Sequence, residues 1–314
     1  MLNAFLQLSP VWRMAAIVLA VLILASAVTI ALRLALPKKN LSELSSRVRS
    51  WWLMAALFFG AVLVRNRASL VFFAFLSFWA LKEYITLLKT RPADHRALVL
   101  TFLAIPVQYY WIATDWYGMF IIFIPVFMFL VLPAQLMLSK DTRGFVSSAS
   151  QIQWGLMAFV FGLSHLGQLL TRGHPIGNDI VEGRSMLLFL VFVVEMNDVL
   201  KYAWGKTLGR HKIIPAVSPN KTWEGFVGGT ISVALLSLTI RFLTPFAVLE
   251  TVMVAVMIAV AGSAGGAVMS AIKRDFGVKD FGTLIPGHGG MVDRVDSLCY
   301  AAPIFFHYVR YYYY

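Results

Sequence analysis

The sequence predicts an all-α integral membrane protein, a polytopic bundle of about ten transmembrane helices with charged loops on the cytoplasmic face. Composition is the first reason. Of 314 residues, 59% are hydrophobic and 13% charged, where a soluble domain carries about 25% charge. Mean hydropathy is +0.75. The second reason is distribution, because the apolar residues fall in runs near the roughly 20 residues that cross a bilayer core as helix. A chain this apolar is not disordered. Its single Cys299 excludes an intramolecular disulfide and any cysteine-only metal cluster.

In order, the runs are Val11–Leu36, Trp51–Val64, Ala68–Leu88, Leu98–Ala113, Met119–Leu138, Trp154–Leu170, Ser185–Leu200, Phe226–Leu243, Leu249–Ile272 and Leu298–Tyr312. Val11–Leu36 is too long for a signal-peptide core and no small-residue cleavage site follows, so it reads as a retained helix. Trp51–Val64 is short, and Arg65-Asn66-Arg67 divides it from the next run, so this pair reads as a hairpin that fails to cross fully. The closing Tyr311–Tyr314 reads either as an interfacial aromatic anchor or as an accident of where the chain ends.

Lysine and arginine set the orientation. With the loop after the first run placed inside, the segments 37–50, 89–97, 139–153, 201–225 and 273–296 hold 18 Lys and Arg, against 7 in the outside segments and their flanks. Both termini are then outside. The net charge of +12 is mostly this topology signal, and no basic domain stands clear of the membrane to bind nucleic acid. The expected location is a bacterial inner membrane, with the active site on the cytoplasmic face.

Two inside loops, 201–225 and 273–296, flank a helical hairpin and so emerge together. The second holds eight charges, four of each sign. A stop-transfer flank needs only basic residues, which leaves four aspartates and a histidine to explain. Asp293 and Asp296, three apart, share a helical face and repel unless a cation sits between them. Oxygen ligands suit Mg²⁺, usually held by one or two carboxylates and substrate phosphates. Lys273, Arg274, Lys279 and Arg294 suit phosphate oxygens. Gly289 and Gly290, after His288, let backbone N–H groups approach an anion closely.

In the first loop Asp198 ends an apolar run with Glu195 three residues before it, the costly placement that marks function or a satisfied polar pair at a helix end. Ser218-Pro219-Asn220 before Lys221 reads as a helix start capped by Ser218 or Asn220, and a helix start can hold an anion. His211 and His288, in the charged loops, are phosphate candidates. His95, His165, His174 and His307 read as structural or surface residues.

Residues 270–296 resemble the signature of the phosphatidate cytidylyltransferase (CDP-diacylglycerol synthase) family. Ser270, Lys273-Arg274, Lys279-Asp280, Gly282, Pro286, His288-Gly289-Gly290 and Asp293-Arg294-Val295-Asp296 match it without a gap. Ser218-Pro219-Asn220-Lys221-Thr222-Trp223-Glu224-Gly225 and Asn197-Asp198 resemble the motifs that precede it. The resemblance implies that phosphatidic acid and CTP give CDP-diacylglycerol and pyrophosphate with Mg²⁺, from a catalytic transmembrane region, 181–314, behind an N-terminal transmembrane region, 1–180. It makes Asp198, Asp293 and Asp296 the metal-associated acids, with Lys273 and Arg274 also catalytic. It makes Lys221, Lys279 and Arg294 phosphate-binding, alongside Ser218, Asn220, His288, Gly289 and Gly290.

The chain departs from the family at Gly266, where many bacterial members have aspartate, and at Val199-Leu200-Lys201, where small or hydroxyl residues are usual. A second metal or potassium therefore stays open, as do a different lipid phosphate, an impaired catalyst and a homodimer. The competing class is a transporter or channel using Glu195 and Asp198, for which paired interrupted helices in two related halves would be the sign; no such repeat stands out.

Overall fold

A computed structural model describes residues 7–36, 42–63, 68–171, 173–176, 179–284 and 289–313. Arg65-Asn66-Arg67, Pro286-Gly287-His288 and Tyr314 lie outside the described residues. The long helices are α1 (Pro10–Ala35), α2 (Ser42–Leu63), α3 (Ala68–Leu87), α4 (His95–Ala113), α5 (Tyr117–Met137), α6 (Phe145–Thr171), α7 (Gly183–Leu208), α8 (Trp223–Leu243) and α9 (Val248–Asp275). A one-turn helix, α10 (Val292–Val295), leads into α11 (Leu298–Tyr313). Each apolar run corresponds to one of these long helices.

Seven helices among the described residues are long and apolar enough to cross a membrane by length and composition. The other three are α2, α7 and α11. α2 opens on polar turns with Arg47 and Arg49, α7 carries Glu195, Asp198 and Lys201, and α11 has 16 residues. The run Trp51–Val64 falls within a helix of 22 residues, about 33 Å at 1.5 Å per residue; that helix is not among those apolar enough to cross. Its Trp52 Nε1 donates to Ser26 Oγ of α1 at 3.0 Å.

Proline marks one irregularity. Pro125 lies in the π-helical stretch Phe123–Met128 of α5, where the wider turn absorbs the missing N–H donor. An antiparallel hairpin, β1 (Gly173–Ile176) and β2 (Asp179–Glu182), joins α6 to α7 with Gly173 opposite Glu182. It is a small addition to an otherwise helical fold.

One continuous apolar core runs from Val11 to Val309. Glycines set the spacing where the site will form, because small residues let helix backbones approach closely in a membrane. A Cβ at Gly229 of α8 would lie 2.8 Å from the backbone nitrogen of Lys201 on α7. One at Gly265 of α9 would lie 2.7 Å from the Asp296 carbonyl oxygen. The last turn of α11 is tied down, with the Tyr308 and Tyr313 hydroxyls donating to Glu250 Oε1 at 2.8 and 2.5 Å. Tyr311 and Tyr312 stay exposed, as an aromatic anchor requires. His165 is buried, its Nδ1 2.8 Å from the Phe161 carbonyl oxygen, which fits the structural role expected of it.

Candidate active site

Helix periodicity puts Asp198 and Lys201, three apart on α7, on one face. Lys201 Nζ lies 2.6 Å from Asp198 Oδ1 and donates to Ser263 Oγ of α9 at 2.9 Å. Asn197, buried beside them, donates to the Ala259 carbonyl at 3.2 Å and so fixes α7 against α9. From the other side Ser297 donates its hydroxyl to Asp198 Oδ2 at 3.1 Å and its backbone N–H to Asp296 Oδ1 at 2.6 Å. Asp296 and Lys221 meet over Gly266. A Cβ there would lie 3.6 Å from Asp296 Oδ2 and 3.6 Å from Lys221 Nζ. Two carboxylates and two ammonium groups thus converge from α7, the 209–222 loop and the α10–α11 corner.

Burial, and then the charge of Asp198, push Asp296 up to about 6. Burial, and then Lys201, pull Lys221 below the ordinary lysine range. For both groups burial, more than any neighbour, opposes the charge. A divalent cation between Asp198 and Asp296 would relieve the repulsion between the acids. Two carboxylates are the protein share of the usual Mg²⁺ donor set, with phosphates and water completing it. No three of the described His, Cys, Asp or Glu side chains gather to hold a metal by themselves. Asp198 and Asp296 therefore fit the ion, provided the substrate supplies the remaining oxygens.

Asp293 faces elsewhere. Its side chain is only 5% exposed and pairs with Lys273, Nζ to Oδ1 2.9 Å. Its Oδ2 accepts from the Phe281 and Gly290 N–H groups at 3.0 and 2.9 Å. The cation beside Asp293 in this structure is the Lys273 ammonium. Lys273 bonds Asp293 and its charge also acts on Asp296. The Gly290 N–H likewise meets the protein's own carboxylate. Gly289 has φ +80°, and a Cβ on it would lie 2.8 Å from Asp293 Oδ2.

Other expected residues divide in the same way. Arg274 donates to the carbonyls of Val217 and Val278 at 3.2 and 3.3 Å, pinning two loops together. Lys279 is exposed, and Arg294 Nε is buried with no hydrogen-bond partner among the described residues. Neither Ser218 nor Asn220 caps a helix. Thr222 caps α8, accepting from the Gly225 N–H at 3.2 Å, because it alone sits three residues before that donor. His211 pairs with Glu224 at 2.5 Å, closing the start of α8. His288 lies outside the described residues.

Sequence reasoning missed three contributors. Lys201 was visible only as a departure from the family pattern, although its spacing from Asp198 pairs them. Ser297 adjoins Asp296 and carried no signal of its own. Glu83 of α3 accepts from the Val292 N–H at 2.9 Å, across 209 positions of chain, and no local pattern announces it.

Carboxylates and lysines gathered at the loop ends of bundled apolar helices define a membrane-embedded enzyme that works on phosphate groups. Residues 45–312 match the cytidylyltransferase family. The uncharacterised protein YnbB of Escherichia coli K12 is 42% identical over 293 residues, covering 93% of this chain and 96% of the relative. A phosphatidate cytidylyltransferase of Staphylococcus haemolyticus is 31% identical over 260 residues, 80% of this chain and 94% of the relative. One from Staphylococcus aureus COL is 38% identical over 125 residues, 39% of this chain and 48% of the relative. The chain belongs to the cytidylyltransferase family, and it is a CTP-dependent nucleotidyltransferase.

Proposed function

We propose that the chain transfers the cytidylyl group of CTP to phosphatidic acid in phospholipid biosynthesis, giving CDP-diacylglycerol and pyrophosphate. The convergence of Asp198, Asp296, Lys201 and Lys221 carries this reading. Residues 181–314 form the catalytic region and 1–180 form the transmembrane support. The lysine and arginine bias turns the site toward the cytoplasm, where CTP is found, in a bacterial inner membrane. Phosphatidate cytidylyltransferases among the relatives support the acceptor.

A phosphate oxygen of the lipid attacks the α-phosphorus of CTP in line. The new P–O bond forms as the bond to the β-phosphate oxygen breaks, and pyrophosphate leaves with the electron pair. The ionised lipid phosphate is already the nucleophile, so no side chain need become covalently attached. Lys201 and Lys221 neutralise phosphate oxygens, and their partly buried ammonium groups act more strongly than they would in water. Arg294 offers unpaired donors to the same end, and Lys279 reaches from the exposed loop. Asp198 and Asp296 would hold Mg²⁺, which when bound neutralises charge on the triphosphate and leaving group. Asp293 keeps Lys273 and the glycine loop in place.

Purified protein given labelled CTP, Mg²⁺ and phosphatidic acid in detergent is expected to yield a CTP-derived nucleotide-lipid and pyrophosphate. No nucleotide-lipid with any divalent cation would refute the reading. Product from another lipid phosphate but none from phosphatidic acid would replace the acceptor.

A further inference from the structure

Glu83 belongs to the N-terminal helices, outside every motif that pointed to the chemistry, yet its carboxylate lies against the glycine loop. Its Oε2 accepts from the N–H of Val292 at 2.9 Å. Val292 is the first residue of α10, the turn that carries Asp293 and Arg294. Two glycines make room for it. A Cβ at Gly282 would lie 2.8 Å from Glu83 Oε1 and 3.0 Å from its Cδ, meeting no other residue more closely than Glu83. A Cβ at Gly290 would collide with Oε2 as well. Among the described residues Glu83 forms no ion pair with a lysine or arginine, so a backbone donor receives this charge.

The connection continues inward. Gly290, shaped to admit Glu83, donates its N–H to Asp293, and Asp293 holds Lys273. A carboxylate bonded to a backbone N–H makes one of the stronger hydrogen bonds. Here it fastens a loop between transmembrane helices to a rigid helix of the other half of the chain. We propose that Glu83 is a positioning residue for cytidylyl transfer: it latches Gly282, Gly290 and Val292 to α3 and so sets the placement of Asp293, Lys273 and Arg294. Gly282 and Gly290 are glycines, on this account, because Glu83 occupies the space beside them.

The kinetic arm rests on the proposed function; the structural arm does not. Glu83→Ala is expected to lower kcat about 10- to 100-fold, the scale of a catalytic group displaced by about 1 Å, with KM for CTP changing less than about threefold. Glu83→Gln keeps an acceptor for the Val292 N–H and should recover most of the activity. Glu83→Asp, one methylene shorter, should not. Wild-type kcat in Glu83→Ala, or Glu83→Gln as inactive as Glu83→Ala, would overturn the proposal.

The structural arm is a double-mutant cycle on thermal unfolding in detergent, read without turnover. Gly282→Ala should lower the midpoint in the wild-type background and leave it unchanged in Glu83→Ala, where the obstructing carboxylate is gone. Additive effects would overturn the latch whether or not the protein turns over. If wild-type protein proves inactive but the cycle shows coupling, the latch stands and the proposed function falls.

Discussion

The two aspartates of the Asp-Arg-Val-Asp stretch should respond oppositely to the same substitution. Asp293 pairs with Lys273 while the two side chains are 5% and 14% exposed. Breaking a buried pair by removing one partner costs about 3–5 kcal/mol. Asparagine still accepts from the Phe281 or Gly290 N–H, and Lys273 keeps the charge of Asp296 nearby. The low end therefore applies, and Asp293→Asn should cost about 3 kcal/mol, lowering the melting midpoint by about 6 °C.

Asp296 is held up at about 6 by burial and by Asp198, so at pH 7 the fold carries an ionised group it disfavours. That penalty is present above about pH 6 and fades as pH falls through 6. Asp296→Asn removes it, and the midpoint at pH 7 should stay level or rise. Turnover should nevertheless be lost, because the proposed function sets this carboxylate against the reacting phosphates. The assay is thermal unfolding of each purified variant in EDTA at pH 7, beside CTP turnover in Mg²⁺. Equal destabilisation by both substitutions, or an unchanged midpoint in Asp293→Asn, would refute the division between an anchoring and a reacting aspartate.

Gly265→Ala should cost about 1–3 kcal/mol as an overpacked contact and reduce activity, since its Cβ must push the Asp296 carbonyl from 2.7 Å; a wild-type midpoint would contradict the close approach of α9 to that corner. Thr222→Ala should cost about 1 kcal/mol as a lost helix cap, while Ser218→Ala should leave the melting midpoint unchanged. EDTA should abolish turnover and added Mg²⁺ restore it; full turnover in EDTA would remove the divalent ion from the reaction. Lys221→Met should raise KM for CTP at least about tenfold, the equivalent of about 1.4 kcal/mol, and leave the protein no less stable, because it removes an ammonium whose charge its partly buried setting disfavours; an unchanged KM would take Lys221 out of phosphate binding.

Local spacing made much of this legible. The length of an apolar run is a direct statement about a bilayer, so each run has its helix. Where an apolar run stopped short of a full span, as at Trp51, the helix continued through polar residues. Backbone hydrogen bonding follows chain geometry as well as hydrophobicity. Asp198, Lys221, Lys273 and Asp296 were found because charge is scarce and the motif spacing is specific. Finer assignments were not legible. Helix capping fell to Thr222, which accepts from the Gly225 N–H, and not to Ser218 or Asn220, because only packing fixes where a helix starts.

The sequence by itself determined that lipid is the solvent and where the apolar helices lie, because those depend on composition and on neighbours a few positions apart. Tertiary structure alone decided that Asp293 pairs with Lys273 while Asp296 and Lys221 both lie beside Gly266. It alone brought Glu83 to Val292. Helical spacing names the residues that share a face, but what lies opposite that face comes from another helix, and only packing brings it there.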